Sequence, residues 1–160
     1  MNSMKELEFA IFLSLNGQAE EAISFYQRVF EGRVLFKISN KEFKEQLNSA
    51  MKLPKGQENF ISHSIVQIGA LQLQIADNPI YEQMNFTQGN QVSFSILPQD
   101  LTTAKRLYEK AVQEEKVKVI QAPLENEFAD FYAIIQDPFG TIIQLTKEKE
   151  VDPSKKGEPR

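Results

Sequence analysis

The sequence predicts an α+β fold of two βαβββ modules forming a half-open curved mixed sheet with a central cleft. Three observations predict it. A helical period follows a short apolar strand twice in the chain, each helix is followed by a further strand and an apolar hairpin, and the two helices superpose at a constant offset while the hairpins align only with gaps. Shifting the first half by 108 − 26 = 82 positions places Ala22 on Ala104, Phe25 on Leu107, Tyr26 on Tyr108 and Phe30 on Val112 without a gap. The same shift places Phe9 on Gln91, Ile11 on Ser93 and Phe12 on Phe94. One helix can cover only one face of a four-stranded sheet, so the other face is left to form a cleft.

The elements follow in order. Residues 9–15 form an apolar run ended by the turn pair Asn16-Gly17, which reads as a strand. From Gln18, Ala19, Ala22, Phe25, Tyr26, Val29 and Phe30 recur at helical steps; Glu20 and Glu21 suit the first turn, and Gly32 stops the helix. Residues 33–38 form the second strand. Phe43, Leu47 and Met51 fall at four-residue steps, predicting a short amphipathic helix broken at Pro54. It either covers a pocket mouth or subunit contact, or patches the outer face of a sheet. Residues 60–68 and 71–77 make the first hairpin, reversing at Gly69-Ala70.

The plan then restarts: a strand over 91–97, a helix over 101–115 with Asp100 as N-cap, a strand over 117–121, an irregular acidic loop over 122–130 and a last hairpin over 130–146. This hairpin turns at Asp137-Pro138-Phe139-Gly140, where Asp137 caps the turn and Gly140 accepts φ > 0. The first module spans 8–77, a linker 78–90, the second module 91–147 and a disordered tail 148–160, as one compact domain overall.

A net charge of −4 with scattered basic residues gives no footprint for nucleic acid, and the absence of cysteine excludes disulfides, thiolate metal sites and a Cys nucleophile. The first residues read as neither signal peptide nor membrane span, so a soluble, cytoplasmic protein is expected. In the fifth strand Val92, Phe94 and Ile96 oppose Gln91, Ser93 and Ser95. In the last strand Ile143 and Leu145 oppose Ile142, Gln144 and Thr146. The apolar sets belong under the helix and the polar sets line the cleft, where small ligands bind among a few placed polar groups.

The run from Phe12 to Tyr26, then Ser62-His63-Ser64 with Ile68-Gly69 and Ala76-Asp77, then Asp137-Pro138-Phe139-Gly140, resembles the vicinal oxygen chelate superfamily. That superfamily includes glyoxalase I, bleomycin resistance proteins and extradiol dioxygenases; the nearest branch is the PhnB-like proteins, some described as demethylubiquinone methyltransferase-like. The resemblance spans about Phe9 to Thr146. It implies paired βαβββ modules, a homodimer and, in metal-dependent members, a divalent ion held by His or Glu from four strands. The four positions fall on Ile11 (or Phe9 with a slip), Gln74, Ser93 or Gln91, and Gln144. Amides are weak ligands for transition metals and a hydrocarbon offers no lone pair, so no metal and no other cofactor is expected. The branch's tryptophans are replaced by Phe128-Ala129 and Ile143, and the chain has no Trp.

His63, the one histidine, matches the branch's strand histidine and is the candidate general acid or base; the competing reading is a structural strand histidine. Glu125, Glu127 and Asp130 either do acid–base or cation chemistry or form a solvated loop, and Tyr26 and Tyr108 belong to the core. The function expected is a glyoxalase/bleomycin-resistance-like protein that binds a small molecule in the cleft without a transition metal, through Ile11, Gln74, Gln91, Ser93 and Gln144. The alternative is a small-molecule enzyme of lyase, isomerase or oxygenase type that uses His63 or a metal site elsewhere.

Overall fold

Each half of the chain builds one open four-stranded sheet with one long helix against one face. The computed structural model describes residues 6–77 and 84–150. In chain order the elements are β1 (Ala10–Leu15), α1 (Ala19–Phe30), β2 (Arg33–Ser39), α2 (Asn40–Gln46), β3 (Ile61–Ile68), β4 (Leu71–Asp77), β5 (Phe94–Ile96), α3 (Leu101–Val112), β6 (Lys118–Leu124), β7 (Ala129–Gln136) and β8 (Ile142–Glu148). The sheets have the orders β1-β4-β3-β2 and β5-β8-β7-β6. Both are mixed, because β1 runs parallel to β4 and β5 to β8 while the other pairs are antiparallel. Two compact units result, Met1–Gln88 and Gly89–Arg160.

α1 is helical because one stripe of it is apolar and that stripe has a sheet to sit on. Ala22, Ile23, Phe25, Tyr26 and Val29 are all essentially inaccessible. Burying each of the larger side chains contributes about 1.5–3 kcal/mol, whereas a helix of this length is marginal in isolation. Its N-terminus is capped from a distance. Gln18 stands at the N-cap and makes no side-chain bond there. The Asp77 carboxylate, at the end of β4, instead accepts from Gly17 N at 2.7 Å and Ala19 N at 3.0 Å on one oxygen and from Ile61 N at 2.9 Å on the other. One buried side chain thus ties β4 to the β1–α1 turn and to the start of β3. α3 carries its own cap, Asp100, which accepts from Thr103 N at 2.7 Å.

Several expectations are corrected. α1 ends on Glu31, which takes the left-handed conformation with φ 58°, rather than on Gly32. Gly32 is needed for space: a Cβ there would lie 2.9 Å from Val66 Cγ1 and 3.0 Å from the Tyr26 carbonyl oxygen. α2 stops at Gln46 and buries no residue fully, so Leu47 and Met51 lie beyond the helix; its capping box, Ser39 with Glu42, is local chemistry that needs no apolar stripe. α3 ends at Val112, three residues earlier than the sequence suggests.

In the second unit β5 is only Phe94–Ile96, so Gln91, Val92 and Ser93 precede the strand, and Val92 is 72% exposed rather than packed under the helix. β6 runs on to Leu124 and β7 starts at Ala129, which shrinks the expected acidic loop to residues 125–128. Asn126 makes that connection tight: its side-chain oxygen accepts from the amides of Phe128 and Ala129. The last hairpin turns as expected, with Asp137 Oδ1 accepting from Phe139 N and Thr141 N and Gly140 at φ 94°. Residues 78–83 of the expected linker and residues 151–160 of the expected tail lie outside the described residues; Glu148 ends β8.

Candidate functional site

Strand register decides which side chains share a face. In the first unit the helix side of the sheet carries Ser64, Val66, Leu73 and Ile75, all buried; Val66 meets the C-terminal end of α1, and Lys37, level with Ser64, forms an ion pair with Glu20 of α1. The other face is read from the pairs Phe12↔Gln74, Ile65↔Gln74 and Phe36↔Ile65. One row across the sheet is therefore Phe12, Gln74, Ile65 and Phe36. Continuing the β3–β4 register by two residues puts His63 opposite Ala76, which is itself level with Ser14, so the next row is Ser14, Ala76 and His63.

The rings on this face meet. β1 and β3 are separated by β4, so their backbones lie about 9.5 Å apart, yet the Phe12 and His63 ring centroids are 6.4 Å apart with planes inclined by 24°. The two rings lean toward each other, and Ala76, small and fully buried, lies in His63's row between them. Phe36 flanks His63 from the other side at 6.0 Å and 48°. Among the described residues neither the His63 imidazole nor the Gln74 amide makes a hydrogen bond, and Ser14 Oγ is buried without a partner.

In the second unit, Tyr108 of α3 packs edge-on against Phe131, which marks the helix side; Phe131, Ala133 and Ile135 are buried there. The opposite face has the row Ser95, Gln144 and Ile134. Tyr132, level with Thr146, stands two residues from Ile134 as His63 stands two from Ile65. Tyr132 and Gln144 thus occupy the positions of His63 and Gln74. Here the polar groups are joined: the Tyr132 hydroxyl donates to Gln144 Oε1 at 2.9 Å, and Gln144 Nε2 donates to Ser93 Oγ at 3.1 Å.

The structure brings Gln74 and His63 onto one face of the first unit, and Ser93 and Gln144 onto one face of the second. It does not bring Ile11 to that face: Ile11 is level with the fully buried Leu73 and turns with it toward the helix, and the residue level with Gln74 is Phe12. Phe9, the alternative, is 83% exposed and precedes β1. Gln91 is exposed before β5, and the residue level with Gln144 is Ser95. Alternation alone could have found Phe12, because it shares its parity with the polar Ser14 while Ile11, Leu13 and Leu15 form the apolar set. Two of the three acidic candidates pair with lysines: Glu125 with Lys149 at 3.1 Å and Asp130 with Lys147 at 3.4 Å.

A divalent transition metal does not fit these positions. Phe12, Gln74, Ser95 and Gln144 include no carboxylate and no imidazole, and the Gln144 amide is already engaged at both ends. Among the described residues no three His, Cys, Asp or Glu side chains converge.

No family model matches the sequence, and no curated protein matches it either. Solved structures do match. Protein PA1353 from Pseudomonas aeruginosa superposes with a TM-score of 0.72 at 19% identity, over 90% of this chain and 99% of that one. A PhnB protein from Bacillus cereus gives 0.67 at 18%, over 88% and 99%. A glyoxalase/bleomycin resistance protein/dioxygenase family enzyme from Burkholderia phytofirmans gives 0.57 at 17%, over 87% and 94%. The chain has the vicinal oxygen chelate fold. Such a fold carries many chemistries, so the activity depends on the side chains that the vicinal oxygen chelate sheets present. Among the described residues no helix is long and apolar enough to cross a membrane.

Proposed function

We propose that this chain is a glyoxalase/bleomycin-resistance-like protein that binds a small molecule on the sheet faces away from the helices, without a transition metal, as a cytoplasmic homodimer. The observation that carries the reading is the donor set at the paired rows. Phe12 and Gln74 in one unit and Ser95 and Gln144 in the other offer aromatic surface, amides and a hydroxyl, which suit recognition of an organic ligand and suit a Lewis-acidic ion poorly. Elemental analysis of the purified protein, with a thermal-shift screen against metabolites and antibiotics, tests it. The expected result is a stabilising compound that is recovered unchanged and no stoichiometric metal; bound Zn, Ni, Mn or Fe at one per chain overturns it. Light scattering at micromolar concentration tests the dimer, and a monomer removes that part.

A second reading, a metal-free enzyme of lyase or isomerase type, is favoured by His63, whose ring nitrogens make no hydrogen bond among the described residues and can therefore move a proton. Turnover of a screened compound that disappears in His63→Ala would establish it.

A further inference from the structure

The two modules present the same grid of positions in different chemical states, and that difference assigns them different roles. In the second unit Tyr132, Gln144 and Ser93 satisfy one another in a chain of hydrogen bonds. In the first unit the equivalent pair, His63 and Gln74, makes no hydrogen bond among the described residues, and the hydroxyl of Ser14 in the His63 row is buried and unpartnered. The Ser14 hydroxyl, withdrawn from water and left unpaired, is costly, and proteins keep such groups where a ligand supplies the partner, while His63 and Gln74 are half-buried beside it. Beside those groups stand the Phe12, His63 and Phe36 rings, with Ala76 beneath the Phe12–His63 contact.

We propose that the ligand is recognised by the first module, and that it is a flat aromatic or heteroaromatic molecule that lies against the Phe12, His63 and Phe36 rings and turns a hydrogen-bonding edge toward Gln74 and Ser14. This rests on the small-molecule reading above and names the ligand class and the module. A planar ring gains from offset or edge contact with three aromatic side chains, and a saturated ring of the same size does not. One amide can both donate and accept, and the Ser14 hydroxyl can do the same, so the ligand's edge needs one polar group of either sense. The second module's row is already satisfied internally, so Gln144 offers no open hydrogen-bonding group.

The chain has one histidine and no tryptophan, so the imidazole C–H signals of His63 are identifiable without assignment work. The full-length protein is titrated with 1-naphthol, and separately with its saturated counterpart decahydro-1-naphthol, while those signals are followed by NMR. The expected result is a saturable ring-current displacement of the His63 signals by 1-naphthol, with the saturated alcohol binding about tenfold more weakly. Phe12→Ala should weaken 1-naphthol about tenfold, well beyond any loss in Gln144→Ala. Phe12→Leu, which keeps the side chain apolar, guards against a folding defect and should weaken binding as well. No displacement up to the solubility limit overturns the proposal. Equal binding of the two alcohols, or loss in Gln144→Ala with retention in Phe12→Ala, also overturns it while leaving metal-free small-molecule binding intact.

Discussion

Replacing Asp77 by alanine removes a single carboxylate that three segments of the first unit share. The three amides it accepts, of Gly17, Ala19 and Ile61, are 58 to 60 residues away on the α1 side and 16 on the β3 side. Two of these bonds are buried, so their N–H groups have no route to water once the acceptor is gone, while the Gly17 amide is only partly buried. A buried donor left unsatisfied costs about 1–3 kcal/mol, and loss of a helix cap about 1 kcal/mol. Two such donors, one of which is the cap of α1, therefore add to about 4 kcal/mol, a large share of the ~5–15 kcal/mol that holds a domain together. Asp77→Asn should lose about half as much, because an amide oxygen still accepts for the Gly17–Ala19 pair while its NH2 faces Ile61 N–H. Urea unfolding followed by far-UV circular dichroism measures the loss, and amide exchange at Ala19 and Ile61 localises it. A loss below about 1 kcal/mol in Asp77→Ala, or equal protection of the Ala19 and Ile61 amides in variant and parent, would refute the assignment of Asp77 as a three-way tie.

The Thr103 amide, followed by the Thr103 hydroxyl, holds the Asp100 carboxyl below its ordinary value of 3.8. A carboxylate depressed in the folded state stabilises above its ordinary value and loses that contribution as the pH falls through the lowered one, so exchange of the first α3 amides should speed up relative to its intrinsic rate below about pH 4. Asp100→Asn should abolish that pH dependence; the same acceleration in Asp100→Asn would count against it. Gly17 has φ +95° and a Cβ there would sit 3.1 Å from Phe60 Cζ, whereas Gly69 has φ +55° with open space around it. Gly17→Ala should cost about 1–3 kcal/mol and Gly69→Ala about 1 kcal/mol by denaturant midpoint, and the reverse order would contradict the Phe60 contact. Lys37 and Glu20 approach to 2.7 Å with both side chains substantially exposed, so Lys37→Ala should change stability by less than about 1 kcal/mol, and a larger loss would mean the pair does more than sit on the surface.

The helices were legible because their signal is local. The shift of 82 carries Ala19–Phe30 onto Leu101–Val112 residue for residue, and the observed bounds are the same. The strands were legible as strands, and their faces less so. Level with Gln74 stands Phe12, and level with Gln144 stands Ser95, a shift of 95 − 12 = 83. The second module has one residue fewer between that row and its helix. In a strand one residue reverses the face, so carrying the helix offset back into the strand exchanged Phe12 for Ile11 and put Phe94, a core residue, in Phe12's place.

Composition and periodicity by themselves determined that this chain is α+β and that it is a duplicated strand–helix–hairpin plan. Those facts depend on residue type and on spacing along the chain, which folding does not alter. Only the tertiary structure decided that Asp77 caps a helix 58 residues away, that Phe12 and Phe36 flank His63 from two other strands, and that Gln144 is engaged while Gln74 makes no hydrogen bond among the described residues. Each of these is a relation between side chains brought together by strand register, and register is set by how two faces of a sheet are buried rather than by any single stretch of sequence.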